Sequence, residues 1–245
     1  MSPRAEPAEA LLAARVGPAR VWCTGRAQGN VGDHVGDDPE VVARNRAALR
    51  GRVGVDDETR WVWLRQMHGV VVHTADDGPD ATAALVGRPS PVADAAITRR
   101  SGIALAIVTA DCAPLVIACD DAVGVVHAGH RGLADGVIEA TIASLREIGR
   151  GELHAYLGPC IRAAHYEFGT GDLAGFVARF GPEVEGRTRD GRPALDIPAA
   201  IRVVLEREGV VGLDDSGICT ADSDAYFSYR RAHETGRQAT IAVIP

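Results

Sequence analysis

Cys112 and His127 each stand just beyond an apolar run in the stretch from Thr109 to Gly132, T-A-D-C-A-P-L-V-I-A-C-D-D-A-V-G-V-V-H-A-G-H-R-G. A thiol and an imidazole brought together support two chemistries. One is a Cys–His nucleophile pair; the other is two of the ligands of a zinc site. His68, in Q-M-H-G between two short apolar runs, has the same character. If the three converge, they supply two neutral imidazoles and a thiolate, the ligand set of a catalytic zinc with its fourth position open. No C-x-x-C pair suggests a closed structural site. The nucleic-acid deaminase signature H-x-E…P-C-x-x-C is also absent, because Pro159-Cys160 continues as Ile161-Arg162.

These residues need a scaffold that folds distant segments onto one another. Pro114–Cys119 and Val123–Val126 are apolar runs joined by Asp120-Asp121, which predicts a β-hairpin turning at that acidic pair. Folding about Asp121 sets Cys112 and His127 at the same end of the hairpin. Strands are expected at Trp61–Arg65, Val70–Thr74, Ile103–Thr109, Leu153–Leu157 and Ala239–Ile244. Leu133, Val137, Thr141, Leu145 and Ile148 recur at spacings of three and four and predict one helix over 133–148. Gly149 is expected to end it in the left-handed conformation. A second helix is expected from Pro198 to about Gly209. Gly181–Arg192 reads as an exposed loop, and residues 1–20 as a loosely ordered lead-in to one α/β domain of mixed sheet over 21–245.

Composition narrows the function. The 245-residue chain carries a formal net charge of −7 and no basic stripe, which argues against a general nucleic-acid or membrane-surface binder. The Ala/Pro/Glu/Arg-rich start lacks the apolar core of a signal peptide, and no apolar run is long enough to span a bilayer. Five cysteines, an odd number widely spread, do not form a disulfide framework, so a reduced cytoplasmic protein is expected.

Ordered motifs along most of the chain carry a resemblance. They are Q-M-H-G (66–69), A-D-A-A-I-T (93–98), T-A-D-C-A-P (109–114), H-A-G-H-R-G (127–132), L-G-P-C-I (157–161), H-Y-E-F-G (165–169) and I-C-T…Y-F-S-Y-R-R…T-G-R (218–237). In these the chain resembles the YfiH family, called laccase-domain or polyphenol oxidase proteins in older usage and purine nucleoside phosphorylases in newer usage. The resemblance implies a layered α/β fold like that of cytotoxic necrotizing factor catalytic domains. It also implies one zinc on His68, Cys112 and His127, with copper the lesser alternative. The implied activities are phosphorolysis of adenosine, inosine, guanosine and methylthioadenosine, together with adenosine deamination. Two departures stand out: His130 occupies the tryptophan position of H-A-G-W-R-G, and the T-T-R-x-G-G-V-S segment is reduced to Thr24-Gly25-Arg26-Ala27.

Phosphorolysis needs a held phosphate and support for an oxocarbenium-like transition state. Arg26 is the motif-matched residue for the phosphate and for catalysis, and Arg131 the second candidate; His130 is expected at the substrate. Deamination needs a carboxylate to shuttle protons, for which Asp111 leads and Asp94 follows. The rivals are a cysteine hydrolase using Cys112 and His127, a zinc-stabilised binding module, and a copper-binding polyphenol oxidase. The last needs more histidine pairs than the chain shows.

Overall fold

A computed structural model describes residues 11–76 and 90–245. In chain order, strands β1 (Leu12–Val16) and β2 (Ala19–Cys23) precede helix α1 (Pro39–Val53), followed by β3 (Arg60–Trp63), β4 (Val72–Thr74) and β5 (Ala95–Thr98). Next come β6 (Ile103–Thr109), β7 (Ala113–Ala118), β8 (Val123–Ala128), then α2 (His130–Asp135), α3 (Val137–Ile148), β9 (His154–Leu157) and α4 (Thr170–Phe180). The chain finishes with β10 (Glu185–Arg187), β11 (Pro193–Leu195), α5 (Ile197–Arg207), β12 (Gly212–Asp215), α6 (Tyr229–Ala232) and β13 (Gln238–Val243).

Among the described residues the strands form a sheet ordered β1-β2-β13-β6-β3, a sheet ordered β12-β9-β7-β8-β5-β4, and the β10-β11 ribbon. Both larger sheets are mixed: β3 runs parallel to β6, β4 to β5 and β12 to β9, while their other pairings are antiparallel. The fold is mixed α/β, as expected.

The apolar runs explain the layering. In β6, Ile103, Leu105 and Ile107 enter the core between the two large sheets, while Ala104, Ala106 and Val108 face the core shared with Leu49 and Val53 of α1. In β7 and β8, Leu115, Ile117 and Val126 pack toward α3, α4 and α5, whereas Val116, Val123 and Val125 face the other sheet. Strands buried on both faces read as continuous apolar runs, because neither side can be polar. The layers are therefore helix, sheet, sheet, helix.

Four expectations are corrected. Residues 12–20 of the expected lead-in form the β1–β2 hairpin, whose strands carry Val16, Ala19 and Val21 into the inter-sheet core; residues 1–10 lie outside the described residues. The helix over 133–148 is two helices, broken at Gly136 (φ 101°), a backbone conformation that glycine adopts without steric cost. The stripe of Leu133, Val137, Thr141 and Leu145 stays buried across the break, which the spacing pattern does not register. Gly149 does end α3, but in extended backbone (φ −108°); a Cβ there would collide with Cys119 Sγ. Finally, Gly181–Arg192 includes β10, whose pairing with β11 places Gly186 opposite Ala194. Among the described residues no helix is long and apolar enough to cross a membrane.

Candidate metal centre

The β7–β8 hairpin pairs Ala113 with Ala128 and Pro114 with His127, so Cys112 and His127 share one end of the sheet as expected. Cys112 directly follows the tight reversal from β6, where Asp111 has φ 91°. That conformation is costly for a residue with a side chain, and here the surroundings enforce it. The two Asp111 carboxylate oxygens accept from Thr220 Oγ1 and the Arg230 amide, both at 2.6 Å, and its carbonyl accepts from Ile161 N at 2.9 Å.

His68 arrives on a different loop, also at positive φ (60°). Gln66 fastens one side of this loop: its side-chain amide donates to Val108 O and accepts from Val108 N, each at 2.8 Å. Asp94 fastens the other. Its buried carboxylate accepts from Met67 N at 3.1 Å and from His68 N and Gly69 N at 2.8 Å each. The same carboxylate accepts from His127 Nδ1 at 2.9 Å. Since a carboxylate only accepts here, Nδ1 carries a proton and Nε2 is the nitrogen left to bind a metal. One carboxylate thus folds the His68 loop and sets the tautomer of His127.

The ligand atoms of His68, Cys112 and His127 all lie within 4.8 Å of one another, with Cys112 Sγ 3.9 Å from His68 Nε2. Donors around a tetrahedral zinc lie roughly 3.3–3.6 Å apart, so small side-chain rotations close the set on an ion. A thiolate with two imidazoles, one backed by a carboxylate, suits a borderline-soft divalent metal. The residues fit the metal. This is also the one such cluster found among the described residues.

Electrostatics agree with the donor set. Burial opposes ionisation of the Cys112 thiol, but the charge and hydrogen bonding of His127, then His68, overcome it and bring its pKa down to about 6. Burial likewise disfavours the His127 imidazolium, yet Cys112 and Asp94 lift its pKa to about 9. In metal-free protein the two form a thiolate–imidazolium pair. Iodoacetamide should therefore alkylate metal-free protein at Cys112 with a midpoint near pH 6, because reactivity follows the thiolate. Mass-spectrometric rates showing the midpoint of an ordinary thiol would remove the ion pair.

Close approach of the loops depends on A-G-H-R-G. A Cβ on Gly129 would lie 2.8 Å from His68 Cδ2 and 3.3 Å from Cys112 Sγ, and one on Gly132 would lie 2.8 Å from Gly69 O. A Gly129→Ala variant must push His68 and Cys112 apart. Its metal affinity should fall by at least about tenfold, a loss of the size seen when ligand orientation is disturbed. A competition titration with a chromogenic chelator measures this.

A cavity of about 220 Å³ opens on the cluster and is also lined by Gln66, His34, Tyr229 and Arg237. Arg26, the expected phosphate residue, does not line it. Its guanidinium donates to Tyr226 O (3.2 Å) and to Glu234, and lies 4.9 Å from the centre of the Phe227 ring. His130 and Arg131 line a separate cleft of about 610 Å³ floored by Phe168, Phe176 and Phe180. His130 Nδ1 lies 3.3 Å from the Tyr166 hydroxyl, and its ring meets Phe168 edge-on at 5.6 Å. Burial and then Arg131 push the His130 pKa down.

Sequence reasoning missed Arg237, Tyr229 and His34. The motif T-G-R was visible, but only tertiary packing carries a residue beside β13 to the end of β7.

The chain matches the family described as multi-copper polyphenol oxidoreductase laccase over residues 21–245. It is 34% identical to a Corynebacterium glutamicum purine nucleoside phosphorylase over 249 aligned residues, covering 100% of this chain and 98% of the relative. It is 42% identical to a Xylella fastidiosa purine nucleoside phosphorylase over 223 residues, covering 88% and 84%. Among solved structures, a Neisseria meningitidis protein superposes with a TM-score of 0.80 at 32% identity, covering 96% of this chain and 99% of the other. Bacillus licheniformis YfiH matches in fold with a TM-score of 0.81 at 23% identity, covering 93% of each chain. A nearly full-length match in sequence, together with the shared fold, places the chain in the YfiH, or laccase-domain, family.

Proposed function

We propose that this protein is a zinc-dependent purine nucleoside phosphorylase acting on adenosine, inosine, guanosine and methylthioadenosine. The observation that carries this reading is the convergence of His68, Cys112 and His127, braced by Asp94, on a small cavity. Relatives named purine nucleoside phosphorylase give the reaction class. Bound by these three residues, zinc supplies a Lewis acid for an anionic co-substrate.

The protein's own groups do the rest. Asp94 holds a His127 proton on Nδ1 and so leaves Nε2 as the nitrogen for the metal. Gln66 and Asp94 keep the His68 loop from moving away. Arg26 ties Glu234 and Tyr226 together and so shapes the segment that brings Tyr229 to the cavity.

Adenosine deamination is the second proposed reaction at this centre. It needs a carboxylate free to move protons, and Asp111 and Asp94 both spend their oxygens on internal donors. Phosphorolysis is therefore favoured as the principal activity.

One observation favours a second reading. Cys112, His127 and Asp94 also form a string of nucleophile, base and orienting carboxylate, as a cysteine hydrolase requires. His68 supports the metal site over it, since a third converging donor has no task in that triad.

The test is product analysis of adenosine and inosine with metal-loaded protein, with and without phosphate. Free base that appears only with phosphate is expected. Inosine formed from adenosine without phosphate marks deamination. Neither product, in protein with full metal content, overturns the proposal.

A further inference from the structure

We infer that Arg237, with the Tyr229 hydroxyl and His34, forms the subsite, in the cavity lined by His68, Cys112 and His127, that holds the inorganic phosphate co-substrate. The inference rests on the phosphorylase reading above and replaces Arg26 in the role the sequence suggested.

The construction of this side chain carries the inference. Its backbone is clamped, with Arg237 N donating to Asn30 Oδ1 at 2.8 Å and Arg237 O accepting from Val31 N at 3.1 Å. Its stem lies against Gly32, where a Cβ would come within 2.7 Å of Arg237 Cγ. Only a glycine at 32 leaves room for that path.

At the tip, the guanidinium is held by one nitrogen alone. Nη1 donates to Thr235 O at 2.9 Å, Gly236 O at 3.0 Å and Glu234 O at 3.4 Å. Nε and Nη2 make no hydrogen bond among the described residues, and the residue lines the cavity that holds Cys112 and His127. The guanidinium is therefore oriented by three carbonyls while its remaining donors stay unused. Two parallel N–H donors match a tetrahedral oxyanion, which arginine grips in bidentate fashion.

The same cavity offers two further donors. The Tyr229 hydroxyl makes no hydrogen bond among the described residues. His34 approaches Asp33 through Nδ1, at 3.5 Å, leaving Nε2. Charge favours an anion here, since a divalent ion offset by one thiolate adds to the positive charge of Arg237. About 220 Å³ accommodates a phosphate but not a nucleoside beside it. A second cleft of about 490 Å³ adjoins it, sharing Gln66 and His34 and walled by Met67 and Val92, and offers room for the rest of the substrate.

The experiment measures phosphate binding to the metal-loaded protein by calorimetry for wild type and Arg237→Gln, with metal content determined first. Arg237→Gln should keep its metal and bind phosphate at least about tenfold more weakly, as expected for loss of a charge-assisted bond. Equal phosphate affinity in wild type and Arg237→Gln overturns the inference.

Wild-type protein provides a measurement that no folding defect can disturb. Phosphate should slow modification of Arg237 by phenylglyoxal, read by peptide mapping. No protection by phosphate, or protection by adenosine 5′-monophosphate alone, also overturns it. The two proposals fail separately: phosphate bound at Arg237 without nucleoside cleavage defeats the phosphorylase reading. Phosphate-dependent cleavage undiminished in Arg237→Gln defeats the subsite.

Discussion

Cys112→Ala protein is expected to purify folded, without metal and without turnover. In the proposed site the thiolate would be the anionic ligand of the three, so its loss would remove a bond and the charge that balances a divalent ion. The affinity loss should exceed the roughly 10–100-fold that removal of an outer-shell partner costs. Folding should survive, because Cys112 is partly exposed and lies outside the three apolar cores. Elemental analysis beside circular dichroism checks both halves. A variant that keeps stoichiometric metal would remove Cys112 from the ligand set. Wild-type protein that is free of metal, fully active and inactivated by alkylation would instead establish the cysteine hydrolase.

Replacing Asp94 by asparagine should have the second-largest effect, through two routes. His127 loses the partner that holds its proton on Nδ1, so metal affinity should fall roughly 10–100-fold. The loop at 67–69 loses a charged acceptor buried away from water, with an expected stability cost of about 3 kcal/mol at neutral pH.

The pH dependence follows from the direction of the shift. Burial opposes ionisation of Asp94, but hydrogen bonds from His127 and from the Gly69 and Met67 amides outweigh it, so its pKa is lowered. The unfolded chain therefore takes up this proton first as the pH falls. The stabilisation is complete above the unfolded carboxyl pKa of about 3.9 and is lost as the pH falls through the lower folded value. Wild type and Asp94→Asn should differ most near neutrality and converge in strong acid. Urea denaturation of metal-free proteins across pH measures this, and a gap independent of pH would show that the Asp94 charge is not the source.

Much of the scaffold was legible because its signals are local. The runs Ile103–Thr109, Pro114–Cys119 and Val123–Val126 read as strands, and each is a strand buried on both faces. The acidic pair Asp120-Asp121 marked the turn, and a two-strand hairpin leaves little freedom in which ends meet. Cys112 and His127 could therefore be placed together from sequence. His68 could not: its loop is 44 residues from Cys112, and only the motif resemblance joined them.

What the sequence by itself determined was the continuous apolar runs that build the sheets, the residue types able to bind a metal, and the motifs that mark the family. The tertiary structure alone decided what each polar group near the site touches. Asp94 and Asp111 are both acids beside candidate ligands, yet one orders the His68 loop and His127 while the other pins the turn before Cys112. Arg26 and Arg237 are both arginines in family motifs, yet Glu234 and Tyr226 engage the first, while three carbonyls hold the second at the cavity lined by Cys112 and His127. Apolar patterning is repeated over many residues and survives local error. A side chain's function depends on which donors and acceptors reach it across the fold, and no local spacing records that.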